Sequence, residues 1–377
     1  MLNSDGKELI GAPGGRWRIP TPALVLDLDA FEANIAAAAS FCRENGISFR
    51  PHAKSHRCVN VARRQIASGA VGQGCAKLGE AEALAQGGVS GLLVTSPIVT
   101  DAGIERLVAL NARVDDLLAV VDHPDPLSRI AAAAEASGKR MKLVVDIDVG
   151  LRRTGAATPD AAAMLVNAIL ENSALEFAGV QGYAGHLMHV AGYAERRAAL
   201  EEAMAPLAAL KQTLRDRNIE VPIYTGGGTG SMQIDAEMGL LTELQPGSYP
   251  FMDSQYEDVW VKADEAPPFR AALFVQTTVI SANHAGLATV DAGYKAFATD
   301  ADTPCIVSSG AQPMSYFFYG DEQGGLTFDG PGPGLGDVVT CSVPHCDPTV
   351  NLYDLYHVVR GDRVVDLWPI EARGRSQ

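Results

Sequence analysis

A lysine flanked by two histidines, Arg50-Pro51-His52-Ala53-Lys54-Ser55-His56, is the first stretch of the chain with the means to do covalent chemistry. An amine that burial and cationic neighbours bring toward neutrality is a nucleophile able to hold an aldehyde as an imine. His52 and His56 sit two positions to either side, on the same face as Lys54 if the backbone there is extended. A lone lysine is most often a surface residue, so its weight depends on what else gathers around it.

Anion-binding chemistry is offered by two later loops, Thr225-Gly226-Gly227-Gly228-Thr229-Gly230-Ser231 and Gln245-Pro246-Gly247-Ser248-Tyr249. Glycine lets backbone N–H groups converge, and Thr229, Ser231 and Ser248 add hydroxyl donors. Asp146-Ile147-Asp148-Val149-Gly150-Leu151-Arg152-Arg153-Thr154-Gly155 brings two guanidinium forks, suited to a phenolate or a carboxylate. Gln181-Gly182-Tyr183-Ala184-Gly185-His186-Leu187-Met188-His189 supplies Tyr183, His186 and His189 as acid, base or hydrogen-bonding groups, one or two of them only structural.

The last motif is Pro344-His345-Cys346-Asp347-Pro348-Thr349. If Val343 to Asp347 is extended, His345 and Asp347 turn to one face and Cys346 to the other. One imidazole and one carboxylate suit Mn, Mg or Zn, and the absence of a thiolate from the pair shifts the balance toward harder ions. Two donors leave positions for water or substrate, as a catalytic metal requires. On spacing alone, a satisfied histidine beside a turn aspartate is the simpler reading.

These residues need elements to position them. From about Ile47 to Gln245, short apolar runs alternate with longer Ala-rich, helix-periodic runs, the rhythm of βα units. Eight runs read as strands: Ile47 to Arg50, Ala70 to Cys75, Gly91 to Thr95, Asp116 to Val121, Lys142 to Ile147, Phe177 to Tyr183, Val221 to Tyr224 and Leu240 to Leu244. Helices are expected at Cys58 to Ser68, Gly79 to Gln86, Gly103 to Asn111, Pro126 to Ser137, Pro159 to Glu171 and Ala194 to Asp216. Together they predict an α/β chain folded as a (β/α)8 TIM-like barrel, with a doubly wound sheet as the alternative.

Pro246, Gly247 and Pro250 predict a short or displaced last helix. In the barrel reading Lys54 falls just past the first strand, and the two glycine loops follow strands seven and eight, where such barrels bind phosphate. After Pro267 the texture turns to β runs broken by Gly/Pro turns, which predicts a second, mostly β domain. The expected division is residues 1–26 as an N-terminal segment that either leads into the barrel or joins the β domain, 27–262 as the barrel, and 263–377 as the β-rich domain. The run Ala23 to Asp27 lies outside the eight barrel strands and precedes a helix over about Phe31 to Glu44.

Hydrophobic residues at 47% and charged residues at 20% are the balance of a globular chain with a sizeable core. A net charge of -15 argues against nucleic acid or an anionic membrane surface as partner. Six cysteines without a CxxC pair describe neither a disulfide framework nor a zinc ribbon, which fits a cytoplasmic protein. No run approaches the roughly 20 apolar residues of a membrane span, and Met1 to Pro20 lacks an apolar signal core.

Taken in order, Arg50 to His56, Asp148-Val149-Gly150 with Arg153, Gly226 to Ser231, Gly247-Ser248-Tyr249 and His345 to Thr349 resemble the D-threonine aldolase and D-serine dehydratase family of fold-type III, alanine-racemase-like pyridoxal phosphate enzymes. The resemblance runs from about Thr21 to Ala372. It implies a barrel plus β domain, a homodimer with each site bordered by both subunits, pyridoxal 5'-phosphate, and a divalent metal beside it. Lys54 would hold the cofactor as a Schiff base, with His52, Arg153 and Tyr183 around the ring. Gly227, Gly228, Thr229, Gly247, Ser248 and Tyr249 would hold its phosphate. His345 and Asp347 would be the metal ligands, and His189 would face the substrate. His186 has no counterpart role.

Dehydratases of this family typically carry His-x-Cys, the aldolases His-x-Asp; here Asp347 takes the third position and Cys346 the second. The resemblance therefore implies retro-aldol cleavage of a β-hydroxy-D-amino acid to glycine and an aldehyde, with His56 or His189 as the base. The alternative is a D-serine or 3-hydroxyaspartate dehydratase in which Lys54 removes the Cα proton. A racemase would leave the metal pair without a task, and a non-catalytic pyridoxal phosphate barrel protein would lack the β domain.

Overall fold

The computed structural model describes residues 6–257, 259, 268–307 and 313–377. Ala23–Asp27 (β1) leads into Leu28–Glu44 (α1), whose first turn is capped by the Asp27 carboxylate accepting the Ala30 N–H at 3.0 Å. All eight expected barrel strands form: Ser48–Phe49 (β2), Gln73–Cys75 (β3), Leu92–Val94 (β4), Leu118–Val121 (β5), Met141–Asp146 (β6), Leu175–Gly182 (β7), Ile223–Gly226 (β8) and Glu243–Leu244 (β9). They pair in parallel in the order β2-β9-β8-β7-β6-β5-β4-β3. The Val71 N–H donates to Phe49 O and the Gly74 N–H to Pro51 O, both at 2.8 Å, so β3 returns to β2 and the ring closes. Leu93, Leu118, Val120, Val144 and Ala178 pack as a separate cluster of barrel side chains.

Val59–Ala67 (α2), Leu78–Gln86 (α3), Asp101–Asn111 (α4), Pro124–Ser137 (α5) and Pro159–Leu170 (α6) fall where expected. Proline opens α5 and α6, where no N–H is needed. The single helix expected over Ala194 to Asp216 is instead two, Tyr193–Ala203 (α7) and Ala205–Asp216 (α8), because Pro206 tolerates only a first-turn position. Met232–Met238 (α9) follows β8, and between β9 and the second sheet the short Ser254–Glu257 (α10) is the one helix among the described residues.

The second sheet contains Leu273–His284 (β10), Leu287–Val290 (β11), Met314–Phe318 (β12), Gly324–Phe328 (β13), Val338–Ser342 (β14), Leu355–Arg360 (β15) and Arg363–Pro369 (β16). β1 lies between β10, antiparallel, and β15, parallel, so the N-terminal strand joins this sheet. The division expected at 262/263 lies outside the described residues. Phe31, Phe251, Tyr356 and Trp368, all fully buried, meet in successive stacked, tilted and edge-on ring contacts of 5.6–6.2 Å and fasten the sheet to the barrel. No helix among the described residues is long and apolar enough to cross a membrane.

The metal motif departs from the extended form. After β14 the chain is extended at His345, and Cys346–Val350 (α11) is a short helix. Asp253, from the loop beyond β9, accepts the Cys346 N–H at 2.8 Å, and Pro348 sits in the first turn where it does no harm.

Candidate active site

A cavity of about 610 Å³ opens at the carboxyl ends of the barrel strands. Every strand contributes to its wall: His52 and Lys54 after β2, Ala76 and Lys77 after β3, Thr95 and Ser96 after β4, Asp122 after β5, Arg153 after β6, Tyr183 after β7, Gly228 and Thr229 after β8, and Gln245, Gly247 and Ser248 after β9. The chain thus brings together His52, Lys54, Arg153, Tyr183, Gly228, Thr229, Gly247 and Ser248 among the residues singled out from sequence. Gly227, Tyr249, His56, His189, His345 and Asp347 lie outside that wall, Asp347 reaching it through its contact with Lys54.

Lys54 stands in a single 3-10 turn, Ala53–Ser55, not on a continued strand. His52 closes the turn by accepting the Lys54 N–H at Nδ1, 3.3 Å, so the shared face expected for His52 and His56 does not form. The Lys54 ammonium is paired with the Asp347 carboxylate of α11. Burial works against the ammonium, but Asp347 outweighs it and raises the lysine pKa. This reverses the expectation that the neighbourhood would lower it. Burial likewise opposes the Asp347 charge, and Lys54 overrides it, holding the carboxyl at about 2.

The His52 ring has one tautomer available. Thr95 Oγ1 donates to Cys75 O at 3.1 Å and therefore accepts from His52 Nε2–H at 3.0 Å, while Nδ1 is the acceptor in the Lys54 turn. Burial, with Lys54 close by, pushes this imidazole down to about 3. His56 is fully buried, bonded to Gln73 Oε1 at 3.2 Å and accepting the Cys58 N–H at 3.1 Å, and burial lowers it to about 4.

The glycine loops have the form of an anion cradle. Among the described residues, no acceptor within the chain meets the N–H groups of Thr229, Gly230 and Ser248. A Cβ on Gly230 would fall 2.1 Å from Met188 O, and one on Gly228 would fall 2.6 Å from Met188 Sδ, so backbone rather than side chain must face this space. Thr229 Oγ1 accepts the Tyr249 N–H at 3.1 Å, which ties the two loops together and leaves the hydroxyl proton for an anion. Tyr249 is a buried strut whose hydroxyl accepts from Gln65 Nε2 at 2.8 Å. Gly227, at φ +68°, turns the loop over Asp235. The Ser231 hydroxyl is used within the loop, donating to Asp235 at 2.6 Å, and is not an anion donor.

Across the cavity the Arg153 guanidinium lies 5.6 Å from the centre of the Tyr183 ring. A lysine, a nest of free N–H groups and a cation over an aromatic ring fit the aldehyde, phosphate and ring of pyridoxal phosphate. His345 is held at Nδ1 by Asp300 Oδ2, 2.8 Å away. With Asp347 it forms a nitrogen and oxygen pair of the type a hard divalent ion takes, and no group of three or more metal-type side chains converges among the described residues. His189 packs on Tyr256 at 4.6 Å, and burial followed by the charges of His345 and Lys54 lowers its pKa. His186 lies over the Gly150 turn, 3.8 Å from where a Cβ would stand, away from these groups.

Several polar residues at and beneath the wall were assigned no role from sequence. Gln245 Nε2 donates to Thr225 Oγ1 at 2.8 Å and Gln181 Oε1 at 3.3 Å, and Gln181 Nε2 donates to Asp146 at 3.0 Å. Thr225 and Arg50 both bond Glu243, so one polar chain crosses the barrel beneath the cavity. Their position at strand ends was the available signal.

Residues 26–255 match the family model for the alanine racemase N-terminal domain, and residues 272–359 that for a putative serine dehydratase domain. The chain is 34% identical to a 3-hydroxy-D-aspartate aldolase of Paracoccus denitrificans (strain Pd 1222) over 98% of its own length and 97% of the relative's. It is 36% identical to a D-threonine aldolase of Arthrobacter sp. over 96% and 94% of the two chains. A solved D-threonine aldolase structure from Filomicrobium marinum matches with a TM-score of 0.90 at 36% identity, covering 95% of this chain and 97% of that one. With the barrel, the second sheet and this full-length similarity in agreement, the chain belongs to the D-threonine aldolase and D-serine dehydratase family of alanine-racemase-like pyridoxal phosphate enzymes.

Proposed function

We propose that this protein is a carbon-carbon lyase that cleaves β-hydroxy-D-amino acids of the D-threonine type to glycine and an aldehyde. The observation that carries the reading is the contact of Lys54, on the cavity wall, with Asp347, which sets a metal-type carboxylate against the imine-forming amine. The barrel, 27–262, would carry the cofactor and 263–377 the metal motif. Lys54 would hold the pyridoxal aldehyde, the N–H groups of Thr229, Gly230 and Ser248 the phosphate, and Arg153, Tyr183 and His52 the ring. His345 and Asp347 would hold Mn or Mg, with Zn the alternative. When bound, the ring accepts the electron pair released at Cα and the metal stabilises charge on the β-oxygen.

His189 is the base in this reading. Its lowered pKa keeps the imidazole neutral at neutral pH, ready to take the β-hydroxyl proton. His56 is set aside because both its nitrogens are engaged in the core. His52, fixed as the neutral tautomer, orients without exchanging protons. Six cysteines free of disulfides support a reducing, cytoplasmic setting. Exposed Tyr294, Val307, Tyr319 and Leu335 on the β domain support a homodimer. Purified protein given D-threonine should yield glycine and acetaldehyde; 2-oxobutanoate with ammonia would instead establish the dehydratase.

A further inference from the structure

Asp300 stands outside every motif recognisable in the sequence, yet its carboxylate lies 2.8 Å from His345 Nδ1. We propose that Asp300 is a positioning residue that fixes the proton on His345 Nδ1 and so presents Nε2 to the divalent metal. The inference rests on the metal pair of the proposed function.

The argument is one of donor and acceptor. An ionised carboxylate only accepts hydrogen bonds, so the Nδ1 facing it carries the proton and the lone pair is left on Nε2. A carboxylate behind a metal-bound imidazole also raises its basicity and fixes the ring plane.

The contact is not a chance meeting of a loose loop with a side chain. Thr349, fully buried in α11, donates its hydroxyl to His345 O at 2.7 Å and accepts the Ala298 N–H at 3.0 Å. The Tyr353 hydroxyl donates to Ala296 O at 2.9 Å. Two side chains from the His345 segment thus pin the strand of chain that ends in Asp300. The first fastening acts on the backbone of His345 itself. Asp300 is half-exposed, and its bond to His345 is the one side-chain bond of its carboxylate among the described residues.

The test is Mn2+ binding to chelator-stripped holoenzyme, read as free Mn2+ by electron paramagnetic resonance, for wild type, Asp300→Ala, Asp300→Asn and His345→Ala. Asp300→Ala should weaken binding about 10- to 100-fold with cofactor absorbance and Tm unchanged. Asp300→Asn, whose amide oxygen still accepts from Nδ1–H, should recover much of the loss. Wild-type affinity in Asp300→Ala while His345→Ala fails to bind would overturn the role of Asp300 alone. A loss that follows a fall in Tm and is not rescued by asparagine would overturn it as well. Wild-type affinity in His345→Ala would remove the metal pair itself.

Discussion

Lys54 and Asp347, 293 positions apart in the chain, form an ion pair at the wall of the barrel cavity. The amine comes from the turn after β2 and the carboxylate from α11, which follows β14 of the second sheet, so the pair ties the barrel to the chain beyond that sheet's strand. Each charge is sustained by the other against burial.

Removing the carboxylate should therefore free the amine. In Asp347→Asn the Lys54 pKa falls, and each unit of fall raises the fraction of free amine about tenfold at neutral pH. The apoenzyme variant should form the visible lysine-bound chromophore faster than wild type while losing metal-dependent cleavage. Stopped-flow absorbance after adding pyridoxal phosphate measures the first, and a metal titration of activity the second.

His189 should set the acid limb of activity. Because burial and neighbouring cations lower its pKa from the ordinary 6.5, kcat/KM should hold steady through that value and decline only in more acid solution. His189→Gln should reduce kcat by about 100- to 10,000-fold and leave the cofactor spectrum intact. An unchanged pH profile in the variant would assign the limb to another group.

Acid stability follows from two buried neutral rings. His52 titrates at about 3 and His56 at about 4 in the folded chain, against 6.5 when exposed. Between those values the unfolded chain binds protons that the native one does not, so stability falls as pH drops below 6.5. His56→Gln should flatten the decline of Tm between about pH 6.5 and about pH 4, whatever its cost at neutral pH.

Gly230→Ala tests the phosphate cradle. Its Cβ would meet Met188 O at 2.1 Å, a backbone atom that cannot move aside as a side chain would. Equilibrium dialysis should show pyridoxal phosphate affinity reduced at least about tenfold, a cost of about 1.4 kcal/mol or more in binding.

Much of the barrel was legible because each strand is a short apolar run closed by glycine or a polar residue, and Lys54 and the glycine loops take their meaning from following numbered strands. The faces of Lys54 and Asp347 were not legible. Alternation assumes extended backbone, and at both places a side chain intervenes: His52 curls the lysine turn, and Asp253, 93 residues away, caps α11. Thr95 is a single polar residue at a strand end with no local pattern to mark it, and Gln181 and Gln245, which open two of the sequence motifs, carry no side-chain role that spacing reveals. Asp300 acquires a role only through its distance to His345, which no spacing in the sequence encodes.

Whether Cα–Cβ or Cα–H breaks is the central question, and D-threonine deuterated at Cα answers it most directly. The account predicts acetaldehyde and glycine that retains the label in the first turnovers, with no primary isotope effect on kcat and with activity lost on chelation. Release of the deuterium to water alongside 2-oxobutanoate and ammonia would contradict it.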